Sequence, residues 1–297
     1  MRFHLEGVIP AMVTPFERKN GNVDYDKAAE LSIWLADKGV HGLFLCGTTG
    51  EGFLMQPEER MLLLEKVLNA VGNRVKIIAH TGCIDTRTTI ALTRHAQEAG
   101  AVAAGAITPF FFTFDDASIK AHYKAVAAAV EGFPLLMYNL PGCAKNVLSP
   151  ELLLELSEIE NIVGVKDSGG NFASLSALLG KKAKDFNVIN GTDEYTYQAL
   201  LSGANGSVSS TANVVPHLFL SIFNNVRKNN LAAAWKAQLK LTEACELFHY
   251  GKMVAYYKEG LRLSGFDPGP VRAPQRELTP AERKAFVKRI EASDVLA

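Results

Sequence analysis

Residues 162–170 read "IVGVKDSGG", and the fold turns on how this stretch is interpreted. Ile162, Val163, Gly164 and Val165 are an apolar, β-branched run of the length that fills a buried strand. Lys166 ends the run at once, and Asp167, Ser168 and two glycines turn the chain away. Working outward, short apolar or β-rich runs recur at 7–13, 42–46, 75–80, 104–108, 134–139, 162–166, 186–190 and 206–210. Helical patterns alternate with them, at 25–38, 57–71, 86–99, 115–130, 171–180, 194–202 and 215–228, and a further start is marked by Ser149–Pro150. In the first helix Ala28, Leu31 and Leu35 share one face. Pro57, Glu58 and Glu59 suit the first turn of the second, and Ser149 followed by Pro150 is an N-cap with proline at the first helical position.

Strands alternating with helices at this spacing are parallel. A doubly wound open sheet would satisfy the alternation; eight units favour closure into a (β/α)8 TIM barrel. Three more helical stretches follow, at 230–248, 252–264 and 280–293, the last opened by the capping box "TPAE" at 279–282. The expectation is a barrel over residues 1–228 and a C-terminal helical extension over 229–297.

Composition narrows the function classes. The chain has 297 residues with 31 basic and 31 acidic side chains, and no basic tract, so no nucleic-acid role is expected. Glu6 and Pro10 interrupt any signal-peptide core, and the nearly apolar run at 99–112 is too short to span a bilayer, so a cytoplasmic protein without a membrane partner is expected. Cys46, Cys83, Cys143 and Cys245 are scattered and read as free thiols. The seven histidines show no metal-ligand spacing, and no metal is expected.

In a parallel barrel, chemistry gathers at the C-terminal ends of the strands. The unusual residues fall there: "CGTTGEG" (46–52), "YNLPG" (138–142), Lys166, "GTDE" (191–194), and Ser209 with Ser210. A lysine ending a strand can pair with a carboxylate or snorkel outward. It can also serve as an amine nucleophile, because desolvation favours the neutral amine that attacks a carbonyl and forms a Schiff base. The glycines of "GTTGEG" mark a tight turn whose N–H groups, with the Thr48 and Thr49 hydroxyls, could cradle a carboxylate. Tyr138 is either a core tyrosine with a satisfied hydroxyl or a proton carrier beside the lysine.

Taken together, "GTTGE", "YNLP" and "GVKD", in this order and spacing, resemble the dihydrodipicolinate synthase / N-acetylneuraminate lyase superfamily, from "GVIPAMVTPF" (7–16) to "GPVRAPQRELTPAE" (269–282). The resemblance implies a (β/α)8 barrel with a helical extension, a homotetramer, no cofactor, and a lysine Schiff-base aldolase or lyase acting on pyruvate and an aldehyde. It implies Lys166 as nucleophile, Tyr138 and Thr48 as proton carriers, and Thr49, Gly47 and the Val208 carbonyl around the 2-oxo acid.

Two departures bear on the substrate. The synthase branch has an arginine for a second carboxylate where this chain has Cys143, with Lys145 nearby. A relay tyrosine of the family is replaced by Phe111. "GTDE" resembles the sialic-acid lyase branch, which places Gly191, Asp193, Glu194 and Ser210 at a sugar end and Ser168 near the new C–C bond; Asp193 and Glu194 are equally suited to an acidic first helical turn. The expected function is cleavage or formation of a 2-oxo-3-deoxy sugar acid or similar 2-oxo acid. Dihydrodipicolinate synthase, 4-hydroxy-2-oxoglutarate aldolase and a non-catalytic barrel binding a small acid are the alternatives.

Overall fold

The structure, a computed structural model, describes residues 3–249 and 253–296. The outermost residues of the two predicted units, and Lys252 at the start of the predicted helix 252–264, lie outside that range. Among the described residues there are eight strands: β1 (Gly7–Pro10), β2 (Gly42–Leu45), β3 (Lys76–His80), β4 (Ala103–Ile107), β5 (Leu135–Asn139), β6 (Ile162–Asp167), β7 (Asn187–Asn190) and β8 (Gly206–Ser209). All seven ladders are parallel, in the order β1-β8-β7-β6-β5-β4-β3-β2. The ring closes where Ala11 bridges Phe44 in parallel and the Met12 N–H donates to the Phe44 carbonyl at 3.0 Å.

Around the barrel lie α1 (Tyr25–Asp37), α2 (Pro57–Val71), α3 (Thr86–Ala99), α4 (Asp116–Ala129), α5 (Pro141–Ala144), α6 (Pro150–Leu156), α7 (Phe172–Lys181), α8 (Thr196–Leu201) and α9 (Pro216–Arg227). The extension is α10 (Leu231–Leu247), α11 (Val254–Leu263) and α12 (Pro280–Glu291). The helix starts follow local chemistry. Asp24, Asp85, Asp115, Ser149 and Asn171 each accept a hydrogen bond from an N–H of the first turn, and Gln56–Glu59 and Thr279–Glu282 form capping boxes. Ala28, Leu31 and Leu35 are buried as their spacing predicts.

Period-two alternation divides the strands between two cores. Ile9, Phe44, Ile78, Leu136, Tyr138, Ile189 and Val208 cluster inside the barrel, while Val8, Leu43, Leu45, Ile77, Leu135, Met137, Val165 and Val188 join the helices outside. Phe44 fits only because β4 has a glycine opposite it; a Cβ at Gly105 would lie 2.7 Å from the ring. On β6, Val165 belongs to the outer layer, and the next residue, Lys166, falls on the inward side between Tyr138 of β5 and Ile189 of β7.

Most predicted ends shift by one or two residues, and three departures are larger. The first strand ends at Pro10 rather than residue 13, because its pairing gives way to the single closing bridge at Ala11. The helix predicted over 194–202 is a 3-10 turn, Asp193–Tyr195, followed by α8. The one-turn α5 was not predicted; it occupies the "PGCA" segment between β5 and α6.

Candidate active site

The C-terminal ends of the strands open into a cavity of about 350 Å³. Its inner end is built by neighbouring strands. Tyr138 and Lys166 are direct register partners, as are Asn139 and Asp167 one residue beyond. Asn139 Nδ2 donates to Asp167 Oδ2 at 3.0 Å, the Gly169 N–H donates to Asp167 Oδ1 at 2.9 Å, and the Ser168 N–H donates to the Asn139 carbonyl at 2.8 Å. Burial raises the Asp167 carboxyl above the usual carboxylate range, with the Asn139 and Gly169 hydrogen bonds opposing. This buried network pins both strand ends immediately after Tyr138 and Lys166.

Lys166 is only 5% exposed. Its Nζ lies 4.4 Å from the Phe44 ring centroid and 4.0 Å from that of Tyr138, and among the described residues it has no ion-pair partner. Neither ordinary fate of a strand-end lysine, pairing with a carboxylate or reaching outward, is therefore the one adopted. Phe44 and His80 meet the Tyr138 ring edge-on, at 5.9 and 5.7 Å. His80 is held well below its ordinary pKa, first by burial and then by the Arg60 and Lys166 charges, so this aromatic wall is uncharged at neutral pH.

The loop after β2 supplies the next wall. Cys46 (φ 59°) and Glu51 (φ 55°) both adopt left-handed backbone, which places Thr48 and Thr49 at the cavity. Thr49 is buried and its hydroxyl shares a very short hydrogen bond with Ser210 Oγ; Thr48 is exposed at the opening. Among the described residues the Thr48 and Thr49 N–H groups have no hydrogen-bond partner, whereas the Thr48 carbonyl accepts from Glu51. Two unpaired N–H groups and two hydroxyls on one turn can receive a carboxylate. Gly47 is a correction to the sequence reading: it does not line the cavity. Its carbonyl accepts the Gly52 N–H at 3.1 Å and a Cβ there would meet Phe44 at 2.9 Å, so its place in the structure is within the turn.

Val208, Ser168, Gly191, Asp193, Glu194 and Ser210 all line the cavity. Gly191 allows β6 and β7 to converge there, since a Cβ would fall 2.0 Å from Ser168 Oγ. Asp193 Oδ2 accepts from Ser209 Oγ at 2.8 Å, while Oδ1 is buried without a hydrogen-bond partner. Burial raises the Asp193 carboxyl to about 6; Thr211, Ser209 and the Lys166 charge hold it lower than burial alone would. Gln238 of α10 fixes this segment by donating to the Asp193 and Glu194 carbonyls at 3.0 and 3.2 Å. Cys143 lines the cavity, but Lys145 does not; it lies 5.8 Å over the ring of Phe111, which is 68% exposed.

Sequence reasoning missed the part of the outer end that comes from the extension. Cys245 of α10 and Val254 and Tyr257 of α11 line the cavity, and the Tyr257 hydroxyl lies 3.4 Å from Thr211 Oγ1. No motif announces them, because they reach the site through tertiary packing. All four cysteines are free, as expected, and among the described residues no helix is long and apolar enough to cross a membrane.

The arrangement can therefore combine a buried primary amine, a phenol beside it and an anion-receptive turn. Comparison with known proteins agrees. The family model described as "Dihydrodipicolinate synthetase family" matches residues 4–293. An uncharacterised DapA-like lyase of Halobacterium salinarum is 35% identical over 282 residues, 95% of this chain and 92% of that protein. The crystal structure of the dihydrodipicolinate synthase DapA-2 of Bacillus anthracis superposes with a TM-score of 0.93 at 32% identity, covering 98% of this chain and 99% of that one. A sialic acid aldolase of Ruminococcus gnavus, solved as a catalytic lysine mutant, gives 0.91 at 27% identity, covering 99% and 98%. The chain belongs to the dihydrodipicolinate synthetase family, (β/α)8 carbon–carbon lyases that work through a lysine Schiff base.

Proposed function

We propose that this protein is a pyruvate-dependent aldolase that cleaves or forms a 2-oxo-3-deoxy sugar acid, with Lys166 as nucleophile and Tyr138 and Thr48 as proton carriers. The observation that carries the substrate class is the distribution of charge in the cavity. Among the described residues Lys166 is the only lysine or arginine on its lining, which also carries two carboxyls, Asp193 and Glu194. One substrate carboxylate can be met by the Thr48–Thr49 turn near Lys166. A second would meet two carboxyls and, among the described residues, no cation besides Lys166, at a cost of several kcal/mol, on the order of that for an unpaired buried charge. Neutral hydroxyls can instead donate to Asp193 and Glu194 and exchange hydrogen bonds with Ser168 and Ser210.

In the cleavage direction the Lys166 amine attacks the substrate C2. The carbonyl oxygen takes up two protons and leaves as water, and an iminium remains. The C4 hydroxyl gives up its proton, the C3–C4 electron pair flows into the iminium, and the aldehyde departs. The resulting enamine is protonated at C3, and water then releases pyruvate and regenerates the amine. In this reading Tyr138, the register partner of Lys166 across the β5–β6 ladder, carries these protons; the pairing of the two residues supports the role.

The relative from Bacillus anthracis favours a second reading, synthase chemistry with aspartate semialdehyde. Cys143 argues against it, because an uncharged thiol lines the cavity where that aldehyde's carboxylate would need a cation. The same argument weighs against 4-hydroxy-2-oxoglutarate, whose aldehyde product also carries a carboxylate. Two exposed apolar surfaces, Phe111 with Phe112 and the Leu231–Trp235–Leu239 stripe of α10, suit the subunit contacts of a homotetramer. The test of the substrate class is condensation of pyruvate with glyceraldehyde or with aspartate semialdehyde at matched concentration. A higher kcat/KM with glyceraldehyde is expected; the reverse order would make the sugar-acid reading wrong.

A further inference from the structure

The Thr48–Thr49 turn is held from behind by a part of the chain about 200 residues away. Glu51, the acidic residue of the turn, is buried and does not line the cavity. Its Oε1 lies 2.8 Å from Lys258 Nζ on α11, and both side chains are completely buried. Its Oε2 accepts the Arg272 N–H at 2.8 Å. Lys258 spends its other donors on the Thr14 carbonyl at 2.7 Å and the Pro270 carbonyl at 2.6 Å. Thr14 in turn donates its hydroxyl to the Gly50 carbonyl at 2.6 Å. The Arg272 guanidinium clamps the far side of the loop, with paired 2.7 Å bonds to Glu59 and one of 3.0 Å to the Leu54 carbonyl.

A buried ion pair is poor evidence for net stability, because desolvation offsets most of its attraction. It is better suited to specifying a geometry, and this turn needs one, since Cys46 and Glu51 are both in left-handed backbone without being glycine. Neither Glu51 nor Lys258 touches the cavity. We propose that the Glu51–Lys258 pair is a positioning device that locks the Thr48–Thr49 turn to the helical extension, so that the extension sets affinity for the 2-oxo acid. This rests on the reading that the turn holds the 2-oxo acid's carboxylate.

The experiment compares three variants with the parent enzyme: Glu51→Gln, the double variant Glu51→Gln/Lys258→Met, and Thr49→Val. Each is measured for thermal stability and for the KM of pyruvate and of the aldehyde. Glu51→Gln keeps an acceptor for the Arg272 N–H, and the double variant leaves no unpaired charge, so both can fold. The expected result is a pyruvate KM raised roughly 10–100-fold in both, with the aldehyde KM unchanged; Tm stays within a few degrees of the parent in the double variant and falls further in Glu51→Gln, which leaves the buried Lys258 ammonium without its carboxylate. A pair that is merely structural would move Tm and leave the pyruvate KM alone, which would overturn the proposal. Failure of both pair variants to fold would overturn it too. Thr49→Val separates the two layers of the argument. If it raises the pyruvate KM and the pair variants do not, only the positioning role falls; if it leaves KM unchanged, the carboxylate reading and the positioning role fall together.

Discussion

The two ends of the cavity are built in different ways. At the inner end, Tyr138 and Lys166 rise from adjacent strands in direct register, and the next residues on each strand, Asn139 and Asp167, are tied together by a buried hydrogen bond. Their relative position is set by the ladder of the barrel itself. At the outer end, Asp193 and Glu194 sit on a 3-10 turn, Cys143 on a one-turn helix, and Cys245, Val254 and Tyr257 on the extension. These are held by side-chain contacts such as those of Gln238. Under the proposed function this contrast is a division of labour: the ladder carries bond making, and the turns and the cavity-lining residues Cys245, Val254 and Tyr257 choose the aldehyde, while the buried Lys258 acts behind the Thr48–Thr49 turn. The same barrel can then change substrate without disturbing its chemistry.

The largest expected effect breaks the inner end. Tyr138→Phe removes one oxygen from a buried ring whose contacts with Phe44 and His80 are otherwise retained. We expect kcat to fall by roughly 10²–10⁴-fold with the circular dichroism spectrum unchanged. Steady-state kinetics showing an unaltered kcat would make Tyr138 a packing residue and shift the proton transfers to Thr48 and water.

A smaller effect sharpens the outer end. Cys143→Arg places a cation on the lining, where among the described residues the parent has none besides Lys166. Relative to glyceraldehyde, kcat/KM for aspartate semialdehyde is expected to rise by roughly 10-fold, the worth of a charge-assisted contact reduced by its exposure. No change in the ratio of the two kcat/KM values would show that Cys143 does not face the aldehyde's carboxylate.

The smallest effect concerns stability. The folded-state pKa of Asp193 is raised to about 6 from 3.8. Between those values the folded protein binds the extra proton, so its contribution to stability is full below about pH 4 and is lost as pH rises through 6. Asp193→Asn removes this penalty at neutral pH. We expect Tm at pH 7 to rise by a few degrees and the fall in Tm between pH 4 and 6 to flatten, while kcat/KM for glyceraldehyde drops roughly 10-fold. A lower Tm in the variant would mean that Thr211, Ser209 and the Lys166 charge satisfy the charged carboxylate well enough to offset its burial.

How far the sequence could be read follows the same division. The strand runs and helix caps are local signals, and they located all eight strands, the barrel and the helical extension. Lys166, Tyr138, Thr48 and Thr49 stand next to strand ends or tight turns, where a polar residue is conspicuous against an apolar run. Asp193 and Glu194 were equally suited to a helix's first turn, and only the fold shows that both line the cavity. Gly47 misled because a glycine-rich loop can serve either a ligand or its own turn, and the clash with Phe44 that decides between them is a tertiary contact. Cys245, Val254 and Tyr257 had no local signal; nothing on helices of ordinary amphipathic pattern marks which turn will meet the barrel mouth. Glu51 could have been found, since it lies inside "GTTGEG", but its partner Lys258 is brought there only by the packing of the extension.

The central claim is that Lys166, buried against Phe44 and Tyr138 and without an ion-pair partner among the described residues, is a nucleophile. The most direct measurement is borohydride reduction of the protein in the presence of pyruvate, followed by peptide mass mapping, with Lys166→Ala as control. The account predicts irreversible loss of activity and a single reduced pyruvyl adduct on the peptide carrying Lys166, absent from the control. An adduct on another lysine, or none in a protein that still turns over, would contradict it.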